Sequence, residues 1–355
     1  MKALRLLAAL GFVLLGPAAA LSSQAADAVP RIPLVKGLTT IRSVAETQGD
    51  YEAIRLYTEV TPKGYRFVSS AEVPDAFTKV PERIEVLRFV PIEDQRSARA
   101  MRSTYWSGDP EVFPGTTPGV SAAIVNELHT TGTTAMTYVD VQLKFGIPIV
   151  RTLKGSVSRI GTTTEVFPIL VNGRRTELRV LHVKGKLADH KGVEDFELRV
   201  LDDPDNPLTL SATGPHFTSR MTRIEYPEAA GSANSIERKL AENQPADVYG
   251  IYFAFGSDQL KPESDRVLKE VADVLGKHRD WKLQVDGHTD NIGGDPANLD
   301  LSRRRAAAVK AALVQRYAIA ADRLATGGFG AGRPKDTNET VEGRALNRRV
   351  ELRRL

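Results

Sequence analysis

The hydrophobic period of this chain changes partway along, and that change restricts the fold more than any single motif. In the first two thirds, apolar side chains recur at every second position. Ile54, Leu56, Thr58 and Val60 alternate with Arg55, Tyr57 and Glu59; Val139, Val141, Leu143 and Phe145 alternate with Asp140, Gln142 and Lys144; and Phe196, Leu198 and Val200 alternate with Glu197 and Arg199. That spacing belongs to half-buried strands. Asn172-Gly173, between VFPIL and TELRVLHV, is a strong hairpin signal. Helical spacing is rare here, SAAIVNEL at 121–128 being one case. After Pro262 the spacing changes to three and four, with Val267, Leu268, Val271, Val274 and Leu275 forming one helical face. The expected fold class is therefore α+β with two domains. A β-rich domain, a sandwich or soluble barrel, spans 27–225, a linker and short helix span 226–245, and an α/β domain spans 246–355.

Residues 1–26 read as a secretory signal peptide. Lys2 and Arg5 precede a short apolar run broken by Gly16-Pro17, and small residues follow as cleavage sites. The run is shorter than the ~20 apolar residues of a spanning helix, so a cleaved leader is expected over an anchor. The formal charge is +4, and Lys2 and Arg5 contribute two of it. The remainder is too small to point to nucleic acid. There is no cysteine, which excludes disulfides, thiolate metal sites and a lipid-bearing cysteine.

Chemistry in the β-rich part is sparse. His129, His182, His190 and His216 lack metal-ligand spacing, and no GxSxG, HExxH or P-loop occurs. No catalytic residue, metal or cofactor is expected. Trp106, beside SGDPEVFPGTTPG, reads either as the wall of a ligand site or as a plug beneath a loop.

The chemically suggestive stretch is Val285–Leu313, a strand end, a Gly/Asp/Pro loop and a helix. Asp290 falls just past the carboxyl end of the strand, where open α/β sheets place ligands. Arg305 sits at the edge of the apolar stripe formed by Leu301, Val309 and Leu313. Together they offer a clamp for a zwitterion; the rival reading is that they pair with each other. GFGAG at 328–332 looks like a dinucleotide loop, but Arg333-Pro334 follows where a helix would have to start, so it is read as a turn.

GHTDN followed by NLDLSRRRAAAVKAAL resembles the signature of the OmpA-like peptidoglycan-binding domain family, with Asn298, Leu301, Ser302, Arg305, Ala306, Val309 and Leu313 in the signature positions. YGIYFAFGSDQLKPES before it and GFGAGRPKDTNETVEGRALNRRVEL after it extend the resemblance over about 246–355. The β-rich part carries no such signature. The resemblance implies an OmpA-like α/β sandwich in which Asp290 and Arg305 hold the diaminopimelate of a peptidoglycan stem peptide. Asn298, Thr289 and Asn291 on the same loop are further candidate ligand contacts. Arg348 shares the strand parity of Val350 and Leu352 and is the last candidate, a solvated terminal arginine being its rival. Many members carry Asp where this chain has Ala254, which puts a contact from that position in question.

The function expected from this is non-covalent binding of peptidoglycan. It would anchor a periplasmic, cell-wall-bound protein associated with the outer membrane, with no enzymatic activity and no nucleic-acid partner. The β-rich domain would engage an outer-membrane or envelope protein. The alternatives are an outer-membrane β-barrel with a wall-binding tail, and a wall-targeted enzyme with its active site in the β-rich domain.

Overall fold

The computed structural model describes residues 30–46, 49–74, 81–102, 110–117, 119–144, 147–214, 216–227 and 235–355. The expected leader, Trp106 and residues 228–234 of the expected linker lie outside them.

The β-rich region carries β1 (Thr39–Glu46), β2 (Gly49–Thr61), β3 (Gly64–Pro74) and β4 (Pro81–Pro91), followed by α1 (Ile92–Ser97), β5 (Ala100–Arg102) and α2 (Ala122–Thr130). Then come β6 (Thr133–Lys144), β7 (Ile147–Arg159), β8 (Glu165–Val171), β9 (Arg174–Asp189), β10 (Gly192–Leu201), β11 (Thr209–Thr213) and β12 (Phe217–Glu225). Hydrogen-bonded neighbours run β4-β3-β2-β1-β12-β11-β10-β9-β7-β6-β5, and β8 joins β12 to β9. The pairings β12–β11–β10–β9–β8–β12 thus close on themselves. Phe167, Ile169, Leu178, Leu210 and Met221 are buried together in one core. Strands β1 to β4 extend from one side of this ring, and β7, β6 and β5 from the other. The Asn172-Gly173 hairpin joins β8 to β9 as the sequence suggests, with φ of 46° and 72° at its two turn residues.

Two strands bury a face that their alternation does not predict. In β6 the buried positions are Thr134, Met136, Tyr138 and Asp140, together with Val141. Asp140 was expected on the outer face. Helix α2, capped by Ser121, covers the even-numbered side with Ile124, Val125 and Leu128, which decides which face is inner. In β2 the register shifts between Tyr57 and Glu59. Tyr51, Ala53 and Tyr57 enter the cores of the β-rich region, whereas Ile54 packs with Ile41 and Tyr252, the latter from the C-terminal region. Glu52 shares the parity of Ile54.

The C-terminal region contains α3 (Ser235–Ala241), β13 (Ala246–Val248), α4 (Asp265–Lys277), β14 (Leu283–Gly287), α5 (Asp295–Tyr317), β15 (Leu324–Gly328), α6 (Val341–Asn347) and β16 (Val350–Arg354). Its sheet runs β13-β16-β14-β15, with β14 and β15 parallel and the other pairs antiparallel. Leu268, Val271 and Leu275 of α4 meet Val309 and Leu313 of α5 over Leu283, Val285 and Leu352.

The first strand is shorter than its apolar run suggests. Past Val248 the chain leaves the sheet, and other partners take the polar groups of Tyr252: its N–H donates to Ser264 Oγ (2.8 Å), and its carbonyl accepts from Lys261 N (2.9 Å). Helix α6, with Thr340 as N-cap, has no clear apolar period and was not foreseen.

The chain from Arg31 onward packs as one unit. The contact between its two halves is largely polar. Arg220 of β12 binds Glu342 of α6 (Nε to Oε1, 2.6 Å), Arg175 of β9 meets Asp336 (2.8 Å), and Arg223 donates to the Tyr249 carbonyl (3.0 Å). Glu72 of β3 accepts from Phe255 N (2.6 Å) and lies 3.5 Å from Lys261 Nζ.

Candidate functional site at the end of β14

Helix α5 is laid against the strand ends by small residues. A Cβ on Gly287 would lie 2.2 Å from the Ser302 carbonyl oxygen, and one on Gly328 would lie 2.4 Å from Arg303 N. Glycine at both positions therefore lets the helix backbone touch β14 and β15. Ser302 fixes the approach by accepting from Gly330 N (2.9 Å). The result is that Asp290, just beyond β14, and Arg305, on the flank of α5, come to the same end of the sheet.

Asp290 and Arg305 are not a pair. The Asp290 carboxylate accepts from Ile292 N (3.1 Å) at Oδ1 and from Arg348 Nη1 (2.7 Å) at Oδ2. Arg348 forks, its Nη2 reaching Glu52 Oε1 of β2 (2.6 Å). Arg305 donates from Nε to the Ser257 carbonyl (2.9 Å), and its guanidinium lies 4.8 Å from the centroid of the Phe253 ring. Among the described residues no protein acceptor is recorded for its Nη atoms. Burial, reinforced by the neighbouring Arg348, pushes the Arg305 guanidinium down to about 10. For Arg348 burial again opposes the charge, but Glu52 and Asp290 outweigh it and the group is raised. A desolvated guanidinium whose planar fork is unused is built to receive a carboxylate.

The loop candidates separate into different roles. The Asn298 amide donates to the Asp290 carbonyl (3.1 Å) and the Ile292 carbonyl (3.0 Å), so its N–H groups hold the loop in shape. Thr289 is buried, and its Oγ1 has no hydrogen-bond partner among the described residues. Asn291 is exposed on the loop. His288 stacks on Phe329 (5.4 Å between centroids). Among the described residues neither of its buried ring nitrogens has a hydrogen-bond partner, and it lines the same cavity as Arg305.

That cavity, about 80 Å³, is lined by Glu52, Arg223, Lys261, His288, Arg305, Arg348 and Arg349, with apolar walls from Ile54, Ile251 and Tyr252. Sequence reasoning missed Glu52, Arg223 and Lys261. No local pattern marks them, because two of the three come from strands of the other region.

Comparison with known proteins places the site within a recognised family segment. Residues 252–348 match the model of the OmpA family. Outer membrane porin F of Pseudomonas aeruginosa is 41% identical over 164 residues, 46% of this chain and 40% of that protein. The peptidoglycan-binding protein ArfA of Mycobacterium tuberculosis is 43% identical over 107 residues, 30% of this chain and 32% of that protein. The chain thus spans less than half the length of either relative. Among solved structures, the peptidoglycan-associated lipoprotein from Burkholderia pseudomallei is 27% identical, with a TM-score of 0.28, covering 30% of this chain and 88% of that one.

Proposed function

We propose that the OmpA family domain at residues 252–348 binds peptidoglycan and anchors this protein to the cell wall, without catalysis. The observation that carries this reading is the Arg305 guanidinium, half-buried over Phe253, whose Nη atoms meet no protein acceptor among the described residues. A purely structural arginine would have its fork satisfied. Arg305 receives a carboxylate of the diaminopimelate residue through a bidentate pair, and the remaining lone pairs of Asp290 accept from its ammonium. Thr289 Oγ1 and Asn291 stand beside Asp290 as supplementary contacts, while Asn298 shapes the loop. Arg348 orients Asp290. The names of the relatives, a peptidoglycan-binding protein and outer-membrane porins, support a place in the periplasm in association with the outer membrane.

Each charged hydrogen bond contributes only ~1.5–3 kcal/mol net, so a single stem peptide binds weakly and the polymeric wall supplies neighbouring sites. Co-sedimentation with sacculi tests the reading. The protein is expected to pellet with diaminopimelate-type peptidoglycan and to lose that behaviour on Arg305→Ala. Equal pelleting with lysine-type sacculi would remove the diaminopimelate assignment and keep wall binding.

The β-rich region belongs, in this reading, to the water-soluble part of the protein and engages an envelope partner. A membrane barrel turns its apolar residues toward lipid. Here Phe167, Ile169, Leu178 and Met221 are buried in a shared core, while the exposed side carries charged pairs such as Lys186 with Asp195 (2.6 Å). Recovery of the protein without detergent is the expected outcome. Extraction by detergent alone would favour the barrel.

A further inference from the structure

Glu52 reaches the candidate site from the other region of the molecule. Strand alternation puts Glu52 and Ile54 on one face of β2. Ile54 is seated against Tyr252 together with Ile41, which brings the carboxylate of Glu52 onto Arg348 at 2.6 Å. Burial opposes ionisation of Glu52, but the fields of Arg348, Arg223 and Lys261 outweigh it and hold its carboxyl below the usual carboxylate range. Among the described residues lining the cavity it is the acidic one, facing Arg223, Lys261, Arg305, Arg348 and Arg349. Clustered cations in a closed space require an anion. Glu52 is the anion on the cavity wall itself, while Asp290, Glu72 and Asp247 meet Arg348, Lys261 and Arg349 from outside the lining.

Resting on the wall-binding reading above, we propose that Glu52 is an internal competitor. Its carboxylate occupies the ground that a carboxylate of the wall ligand takes, and β2 thereby holds the site closed. The size of the remaining space agrees. About 80 Å³ is left beside Arg305, far below the roughly 300–1,000 Å³ of small-molecule pockets, so the end of a stem peptide cannot enter while β2 is in place.

The contact that would have to part is of the separable kind. It is made mostly of charged pairs, Glu72 to Lys261, Arg83 to Glu263 (3.1 Å), Arg220 to Glu342, around the small apolar node of Ile41, Ile54 and Tyr252. Polar contacts of this type between regions of one chain commonly open. Wall binding is then governed by the fraction of molecules in which β2 has moved off, and the apparent affinity is reduced by that fraction.

The test uses the full-length protein and two probes, diaminopimelate-type sacculi and a soluble diaminopimelate-containing muropeptide. Glu52→Gln keeps the shape and removes the competing charge, and it is expected to bind both probes about tenfold more tightly than the parent. Glu72→Ala, which loosens the contact outside the cavity, is expected to shift affinity in the same direction. It stands in if Glu52→Gln melts well below the parent. If Arg305→Ala loses binding while both Glu variants bind no tighter than the parent, the competitor is overturned and the wall reading stands. Weaker binding by Glu52→Gln alone also overturns it, making Glu52 a ligand contact. If Arg305→Ala binds as the parent does, the clamp falls and the competitor falls with it.

Discussion

Two half-buried arginines, one in each region, meet opposite fates. Arg151 of β7 spends its whole guanidinium on the neighbouring strands. Its Nε and Nη2 donate to Asp189 (2.9 and 3.0 Å), and Nη1 and Nη2 donate to Glu194 (3.3 Å each). The hydrogen bonds it donates to Asp189 raise the Arg151 guanidinium, and in return Arg151 holds the Asp189 carboxyl far below its usual range. Arg305 makes one hydrogen bond to a carbonyl and stands over a phenyl ring, and burial lowers it. The first arrangement is complete and inert. The second is incomplete in the way that invites a ligand, because the desolvation has already been suffered and the matching anion has not been supplied.

The contrast can be broken by exchanging the readouts. The largest effect is expected for Arg305→Ala, with retention on diaminopimelate-type sacculi falling at least about tenfold, the loss of one charged pair of ~1.5–3 kcal/mol. Its thermal midpoint should stay close to that of the parent. Arg151→Ala should do the reverse, lowering the thermal midpoint by several degrees while leaving wall retention unchanged. If Arg305→Ala melts early and Arg151→Ala does not, the two arginines have been assigned the wrong way round.

Asp290→Asn sharpens the comparison, since Asp290 belongs to both types. It faces the proposed ligand and also balances Arg348. Binding should fall, and some stability should fall with it, by ~1–3 kcal/mol as Arg348 loses one of its two carboxylates. Arg305→Lys should weaken binding less than alanine does, since lysine keeps the charge but lacks the planar fork. An Arg305→Lys protein that pellets like the parent would argue against a bidentate contact.

The smallest effect concerns His288. Burial first, and then Arg349 with help from Arg333, pushes its imidazole down to about 4, against the opposing pull of Asp286 and Asp247. A depressed histidine takes up its proton in the unfolded chain near pH 6.5 and in the folded chain only near 4. Folding stability is therefore lost as pH falls through that window. Between pH 7 and 5.5 the loss should be roughly 1 kcal/mol, read as a shift of the urea midpoint. His288→Phe should flatten that dependence; an unchanged slope would mean that His288 does not titrate as described.

Much of the site was legible because its parts are local. The strand that ends at Gly287, the Gly/Asp/Pro loop and the helix that carries Arg305 each have a period or a turn residue that announces them. Arg348 was picked out by strand parity, yet it precedes β16 and turns to Asp290 through the end of the unforeseen α6. Asn298 was read as a ligand contact, but the structure commits its amide to the loop carbonyls.

What the sequence determined by itself is the set of elements whose cause lies within a few residues. These are the alternating strands, the Asn172-Gly173 hairpin, Ser121 before α2, Pro262 before α4 and the loop-to-helix joint around Asp290. Tertiary structure alone decided which face of a strand is inner. Helix α2 took the Met136 and Tyr138 side of β6, the side on which Asp140 is also buried, and the C-terminal region took the Ile54 side of β2. It also decided that Glu52 meets Arg348 across 296 positions. Alternation shows that a strand has two faces, but only the body packed against each face determines which charge is carried inward and which cation it finds there.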